Sequence, residues 1–215
     1  ILPKDYPDLD IRKMGIHLVQ GSDRLLDAMT PKSSESAEKF LHSLGVSIWK
    51  NVRVTNYDGR TVTTGTDLTF ETATLIWTAG VQGAAVRGLD AKSLVEKVER
   101  IRVNQFNLVN GYDNIFAIGD IASMETEKFP QGHPMMAQPA IQQGDLLGEN
   151  FKRLSQNKPM KPFEYNDKGS MATIGRNKAV VDLPKYHFNG FFAWVVWMFV
   201  HLFSLIGFKN KAVVF

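Results

Sequence analysis

Asn114-Ile115-Phe116-Ala117-Ile118-Gly119-Asp120 is the stretch whose reading decides the fold. Four apolar residues follow the turn signal Asn110-Gly111-Tyr112-Asp113-Asn114 and end on Gly-Asp. A short continuous apolar run between turn residues fits a strand buried on both faces. In open α/β sheets ligands sit beyond the carboxyl ends of the strands, which places Asp120 where a ligand is reached. The Gly-Asp pair equally suits a plain strand end, because Asp caps turns through its own backbone.

Downstream, Ser123 to Pro134 reads as a mobile loop, and Pro139 opens a helix reaching about Leu154. Ile141, Leu147, Phe151 and Leu154 give that helix an apolar stripe, and proline is tolerated in a first turn. Gln142 and Gln143 fall in the expected first turn, with Gln138 just outside it. A helix start offers unpaired N–H groups and partial positive charge, which suits an anion or a ring that gains negative charge on reduction. Glutamine adds a donor and an acceptor without charge, although the same residues also suit a solvated helix surface.

Upstream, Ile16 to Val19 reads as a strand running into a turn at Gly21-Ser22. Thr30-Pro31 starts a helix whose apolar positions are Ala37, Phe40, Leu41 and Leu44, with Gly45 as its stop. Val46 to Trp49 is the next strand. Val52–Tyr57 and Arg60–Thr64 alternate around Asp58-Gly59 as a hairpin. Thr72 to Thr78 is a β-rich run closing on Ala79-Gly80, and a further strand is expected around Ile101 to Val103. Helix alternating with buried strand indicates α/β architecture and the second half of a doubly wound domain. No G-x-G-x-x-G occurs, only Gly80-Val81-Gln82-Gly83, so the domain reads as incomplete. The opening Ile1-Leu2-Pro3-Lys4-Asp5-Tyr6 lacks a signal-peptide pattern and reads as cut from something longer.

The 215 residues contain no cysteine, which excludes disulfide scaffolds, thiolate catalysis and Cys-ligated metal centres. The five histidines are scattered, so no metal site is expected. A net charge of +3 argues for no nucleic-acid partner, but its distribution is uneven. Residues 151–215 hold 10 Lys/Arg against 3 Asp/Glu, and a basic tail points to an anionic surface. Gly190 to Phe208 has no charged residue, with basic flanks at Lys185, Lys209 and Lys211. Trp194 and Trp197 sit inside this run rather than at its rims. The pattern favours a helix lying in a membrane interface over a true span or a soluble core helix, with His201 as a polar tip.

Thr78-Ala79-Gly80, Asn114 to Asp120, Ala137-Gln138-Pro139-Ala140-Ile141-Gln142-Gln143 and Asp167-Lys168-Gly169-Ser170-Met171-Ala172 occur in this order before the aromatic tail. Together they resemble type II NADH:quinone oxidoreductases, which are single-subunit, FAD-containing respiratory dehydrogenases that do not pump protons. The resemblance covers nearly all of this chain but only the carboxyl-terminal half of the family. It implies a two-dinucleotide-binding-domain (Rossmann-like) flavoprotein followed by an amphipathic membrane-anchoring helical segment. Residues 1–84 would be the second half of the NADH-binding domain and 85–160 the end of the FAD-binding domain. Residues 161–215 would cap the flavin and anchor the protein.

Non-covalent FAD, with NADH as substrate, is the implied cofactor set. Asp120 would accept hydrogen bonds from the ribityl chain, with Gly119 allowing close approach. The backbone at Ala137 and Gln138 would face the pyrimidine edge of the ring, and Lys168 would approach its carbonyl edge. Gln138 and Gln142, at i and i+4, would line a membrane-quinone site, while Ala79-Gly80 would sit near the nicotinamide. A homodimer on the cytoplasmic face of the inner (plasma) membrane, held to anionic lipid through residues 185–215, is also implied. Both glycine-rich nucleotide turns are absent, as is the acidic residue that the family places upstream near the nicotinamide. The chain as written is therefore expected to be inactive alone. Two other readings are a sulfide:quinone oxidoreductase, opposed by the lack of cysteine, and a cofactor-free membrane-association or dimerisation module.

Overall fold

The computed structural model describes residues 14–84 and 86–204, without the side chains of Glu96 and Ser204. The expectations for residues 1–6, for the end of the apolar run after residue 204, and for Lys209 and Lys211 lie outside the described residues. The chain divides into two compact units, one of residues 1–76 with 169–215 and one of residues 77–168.

In the first unit, β1 (Ile16–Val19) and β2 (Val46–Trp49) pair in parallel across helix α1 (Pro31–Ser43). A parallel pair needs such a crossover. Thr30 is the N-cap of α1 and its side chain accepts the Ser33 N–H at 3.3 Å, while Pro31 at the first helical position loses no hydrogen bond. The helix ends where sequence places its stop: Gly45 N–H bonds the His42 carbonyl at 3.0 Å. Strands β3 (Val54–Tyr57), β4 (Thr61–Thr64) and β5 (Thr69–Glu71) form an antiparallel sheet. Its first turn is held by the Asp58 carboxylate, which accepts from the N–H groups of Arg60 and Thr61 at 2.8 and 2.7 Å.

The carboxyl-terminal part of this unit is a second antiparallel sheet of β9 (Ser170–Gly175), β10 (Lys178–Asp182) and β11 (His187–Gly190), with β10 central. Helix α3 (Phe191–Ser204) packs Ala193 and Trp194 over it, against Ala179 and Val181. Burying such apolar side chains is worth roughly 1.5–3 kcal/mol for each large one. The opposite face leaves Phe191, Phe192, Phe199 and Phe203 exposed. Among the described residues no helix is long and apolar enough to cross a membrane. His201 stacks on Trp197 at 4.3 Å, and its Nδ1 lies 2.8 Å from the Trp197 carbonyl oxygen.

One carboxylate ties α1 to this sheet. Asp182 accepts from the Thr30 N–H at 2.7 Å, the Thr30 hydroxyl at 3.1 Å and the Ser33 hydroxyl at 2.6 Å, and lies 3.0 Å from His187 Nδ1. Burial pushes its pKa up, but the bonds from Ser33, the Thr30 backbone, His187 and the Thr30 hydroxyl outweigh burial. The carboxyl therefore titrates below its ordinary range.

In the second unit, β7 (Arg100–Arg102) lies between β6 (Leu94–Val95), antiparallel, and β8 (Ala122–Ser123), parallel. Helix α2 (Ala137–Ser155) covers the turn that leads into β8. The core is Ile101, Val103, Val109, Ala117, Ala122, Met124 and Phe163.

Four local expectations need correction. Ile115 to Ile118 is extended but forms no ladder: Phe116 bridges Leu108, and Ala117 N–H and Ile115 C=O bond Asn107 and Val109. One edge is thus used, and no strand flanks the other among the described residues. Thr72 to Thr78 likewise lies beyond the end of β5, with Ile76 and Trp77 exposed, because β propensity without a neighbouring strand supplies no hydrogen bonds.

Helix α2 begins at Ala137, so Gln138 is in its first turn and Gln142 and Gln143 in its second. The expected stripe is not its buried face. Ile141, Phe151 and Leu154 are exposed, while Pro139, Gln143 and Asn150 are buried. Polar residues are tolerated there because they are satisfied: Asn150 exchanges hydrogen bonds of 2.9 and 2.8 Å with the Lys161 backbone.

Candidate functional site

The second unit brings together Gly119, Asp120, Ala137, Gln138, Gln142 and the segment ending at Lys168. Gly119–Ile121 is a 3₁₀ turn entered from extended Ile118, and Gly119 has φ +72°. Only glycine takes that backbone cheaply, and an added Cβ would stand 3.3 Å from Ala140 Cβ. The turn leaves Asp120 exposed beside the helix. Met136 precedes α2 with extended backbone and makes no side-chain cap bond to it.

Three glutamines of α2 each bind backbone. Gln138 Oε1 accepts the Lys168 N–H at 3.2 Å. Gln142 grips Asn166 twice, its Oε1 accepting the N–H at 3.0 Å and its Nε2 donating to the C=O at 2.9 Å. Buried Gln143 accepts the Gly119 N–H at 2.7 Å. Gln138 and Gln142 do share one face, but their oxygens hold the 166–168 segment alongside the helix. Lys168 is exposed at the end of that segment.

Ala79 and Gly80 are exposed, and the Gly80 N–H bonds the Thr78 carbonyl at 2.9 Å. Among the described residues no hydrogen bond joins that pair to the group around Asp120. The loop before α2, expected to be mobile, is tied down. Arg100, 5% exposed, donates through one guanidinium nitrogen to the carbonyls of Ala122 and His133, the latter at 3.0 Å. The His133 ring is buried among Phe129, Phe163 and Tyr165, at centroid distances of 4.8, 5.3 and 5.6 Å. Burial, and then the Arg100 charge, lower the imidazole pKa.

Sequence reasoning did not single out Arg100 or His133, and it read Gln143 as part of the helix start. The spacing 139, 143, 146, 150 was the available signal for Gln143, since it defines one helix face. Arg100 carries no local signal, because its two carbonyl partners lie 22 and 33 residues along the chain. The His133 ring packs on Phe129 nearby but also on Phe163 and Tyr165, 30 and 32 residues on.

Comparison with known proteins agrees with this architecture. Residues 9–144 match the model of the pyridine nucleotide-disulphide oxidoreductases, and residues 168–215 match the NDH2 C-terminal domain. The chain belongs to the pyridine nucleotide-disulphide oxidoreductase family, and its likeness is to the type II NADH:quinone oxidoreductases within it. The type II NADH:quinone oxidoreductase Ndh of Mycobacterium tuberculosis is 36% identical over 216 residues, covering 96% of this chain and 45% of the relative. The Staphylococcus aureus type II enzyme is 29% identical over 175 residues, covering 80% of this chain and 43% of the relative.

The chain thus spans less than half the length of these relatives. Among solved structures, NDH2 from Plasmodium falciparum in complex with NADH superposes with TM-score 0.85 at 19% identity, over 98% of this chain and 58% of that one. The sulfide:quinone oxidoreductase of Aquifex aeolicus gives 0.73 at 17% identity, over 98% and 54%. At such identities these two likenesses speak for the fold alone.

Proposed function

We propose that this chain forms the flavin- and quinone-facing portion of a type II NADH:quinone oxidoreductase, which passes two electrons from NADH through FAD to a membrane quinone without pumping protons. The observation that carries the reading is the joining of the Gly119–Asp120 turn, the start of α2 and the segment ending at Lys168 by three glutamines. The residues fit FAD: the turn is cut close by a glycine, Asp120 is exposed for hydroxyl donors, and the helix start suits negative charge. FAD, when bound, supplies the two-electron chemistry.

In this reading Asp120 accepts from the ribityl hydroxyls, and the backbone of Ala137 and Gln138 faces the pyrimidine edge of the ring. Lys168 adds positive charge near the ring carbonyls. Gln138 and Gln142 wall the quinone approach, and Ala79-Gly80 lies by the nicotinamide. Domain roles follow the same reading: 1–84 for NADH, 85–160 for FAD, 161–215 for capping and anchoring. The exposed phenylalanines of α3 enter lipid, which supports peripheral membrane contact. In the same reading the enzyme is a homodimer on the cytoplasmic face of the inner (plasma) membrane.

The test is half-reaction kinetics on the complete, flavin-loaded enzyme of which this chain is read as the carboxyl-terminal portion. NADH should bleach the flavin absorbance, and quinone should restore it. Gln138→Leu should slow the quinone step more than the NADH step, and equal loss in both would remove Gln138 from the quinone site. A complete protein that is colourless and inert toward NADH would favour a cofactor-free membrane module.

A further inference from the structure

Gln143 is 1% exposed, and its carbonyl oxygen accepts the Gly119 N–H at 2.7 Å. Methionine or leucine would fill similar space without the cost of burying an amide, so the residue is explained by what it binds. Helix α2 meets the turn closely on either side of this bond. A Cβ on Gly119 would stand 3.3 Å from Ala140, and one on Gly144 would stand 3.7 Å from Ile118 Cδ1. Gly119 immediately precedes Asp120, and its left-handed backbone sets the direction in which the Asp120 carboxylate leaves the turn.

We infer that Gln143 is a positioning residue that fixes the Asp120 carboxylate against the amino terminus of α2, at the spacing one flavin requires. The inference rests on the flavin reading above. Removing the Gln143 oxygen orphans the Gly119 N–H and frees the turn to rotate, so that Asp120 and the helix start no longer engage one ligand together. Any structural residue lowers stability when removed, but only one acting through Asp120 loses its effect on flavin affinity once Asp120 is neutralised.

The experiment is a double-mutant cycle on FAD dissociation, followed by released flavin fluorescence, with Gln143→Met and Asp120→Asn in the complete, flavin-loaded enzyme. Gln143→Met should weaken FAD about tenfold alone and less than about twofold beside Asp120→Asn. The same factor in both backgrounds, with a lowered melting midpoint, overturns the inference and leaves the flavin reading standing. An Asp120→Asn protein that binds FAD as well as the parent overturns both. If Gln143→Met does not fold, Gln143→Asn, which keeps the amide and withdraws its oxygen by one methylene, runs the same cycle with the same outcomes.

Discussion

Arg100→Met tests how the loop before α2 is held. The guanidinium is 5% exposed and bonds two backbone carbonyls, Ala122 at the start of β8 and His133 three residues before the N-cap of α2. Methionine replaces most of its volume, but the two carbonyls belong to the backbone and stay behind unpaired. Each orphaned group costs about 1–3 kcal/mol, and relief from burying a cation returns part of the total. A net loss of about 2–3 kcal/mol is expected, a large share of a marginal stability. Urea denaturation should show it as a midpoint shift of about 1 M at unchanged slope.

Arg100→Lys keeps the charge without the planar fork and should fall between parent and Arg100→Met. His133 reports the same event. Burial first, and Arg100 second, lower its pKa, so Arg100→Met should let the pKa rise while burial keeps it below the ordinary histidine value. An unchanged urea midpoint, or an unchanged His133 titration followed by NMR, would refute the strut.

Two further outcomes are expected. Asp182 titrates below its unfolded value, so its stabilisation is complete above the unfolded pKa and fades as pH falls through the folded one. Asp182→Asn should therefore flatten the loss of stability below about pH 4, and an acid limb as steep as the parent's would contradict this. On α3, Phe191→Ser with Phe203→Ser should lower the binding constant for anionic vesicles, read by sedimentation, at least about tenfold, since each exposed ring offers lipid roughly 1.5–3 kcal/mol on full burial and a share of it on partial insertion. Undiminished binding would locate the membrane contact elsewhere.

The parts of the fold legible in sequence are those whose signals act over a few residues. Thr30-Pro31 announces α1 through its own hydroxyl and ring, and Asp58 holds its turn through backbone two and three residues away. Side-chain preference marks 72–78 and 115–118 as strands, but 72–78 has no strand beside it among the described residues and 115–118 is bonded along one edge only, to residues 107–109. The α2 stripe departs from expectation for a related reason. Hydrophobicity marked Ile141 and Phe151 for burial, yet the helix turns inward the face where Gln143 and Asn150 find backbone partners.

The amino-acid order alone determined the α/β class, the Gly-Asp turn, the glutamine-rich helix start, the apolar tail and the family they resemble. Tertiary structure decided what those groups touch. It assigned the glutamine oxygens to Gly119, Asn166 and Lys168, set Arg100 under the loop, and closed Asp182 onto Thr30 across 152 residues of chain. A side-chain amide or carboxylate announces that it will be bonded. Only the path of the backbone, fixed by the burial of the whole chain, brings one particular partner within three ångströms.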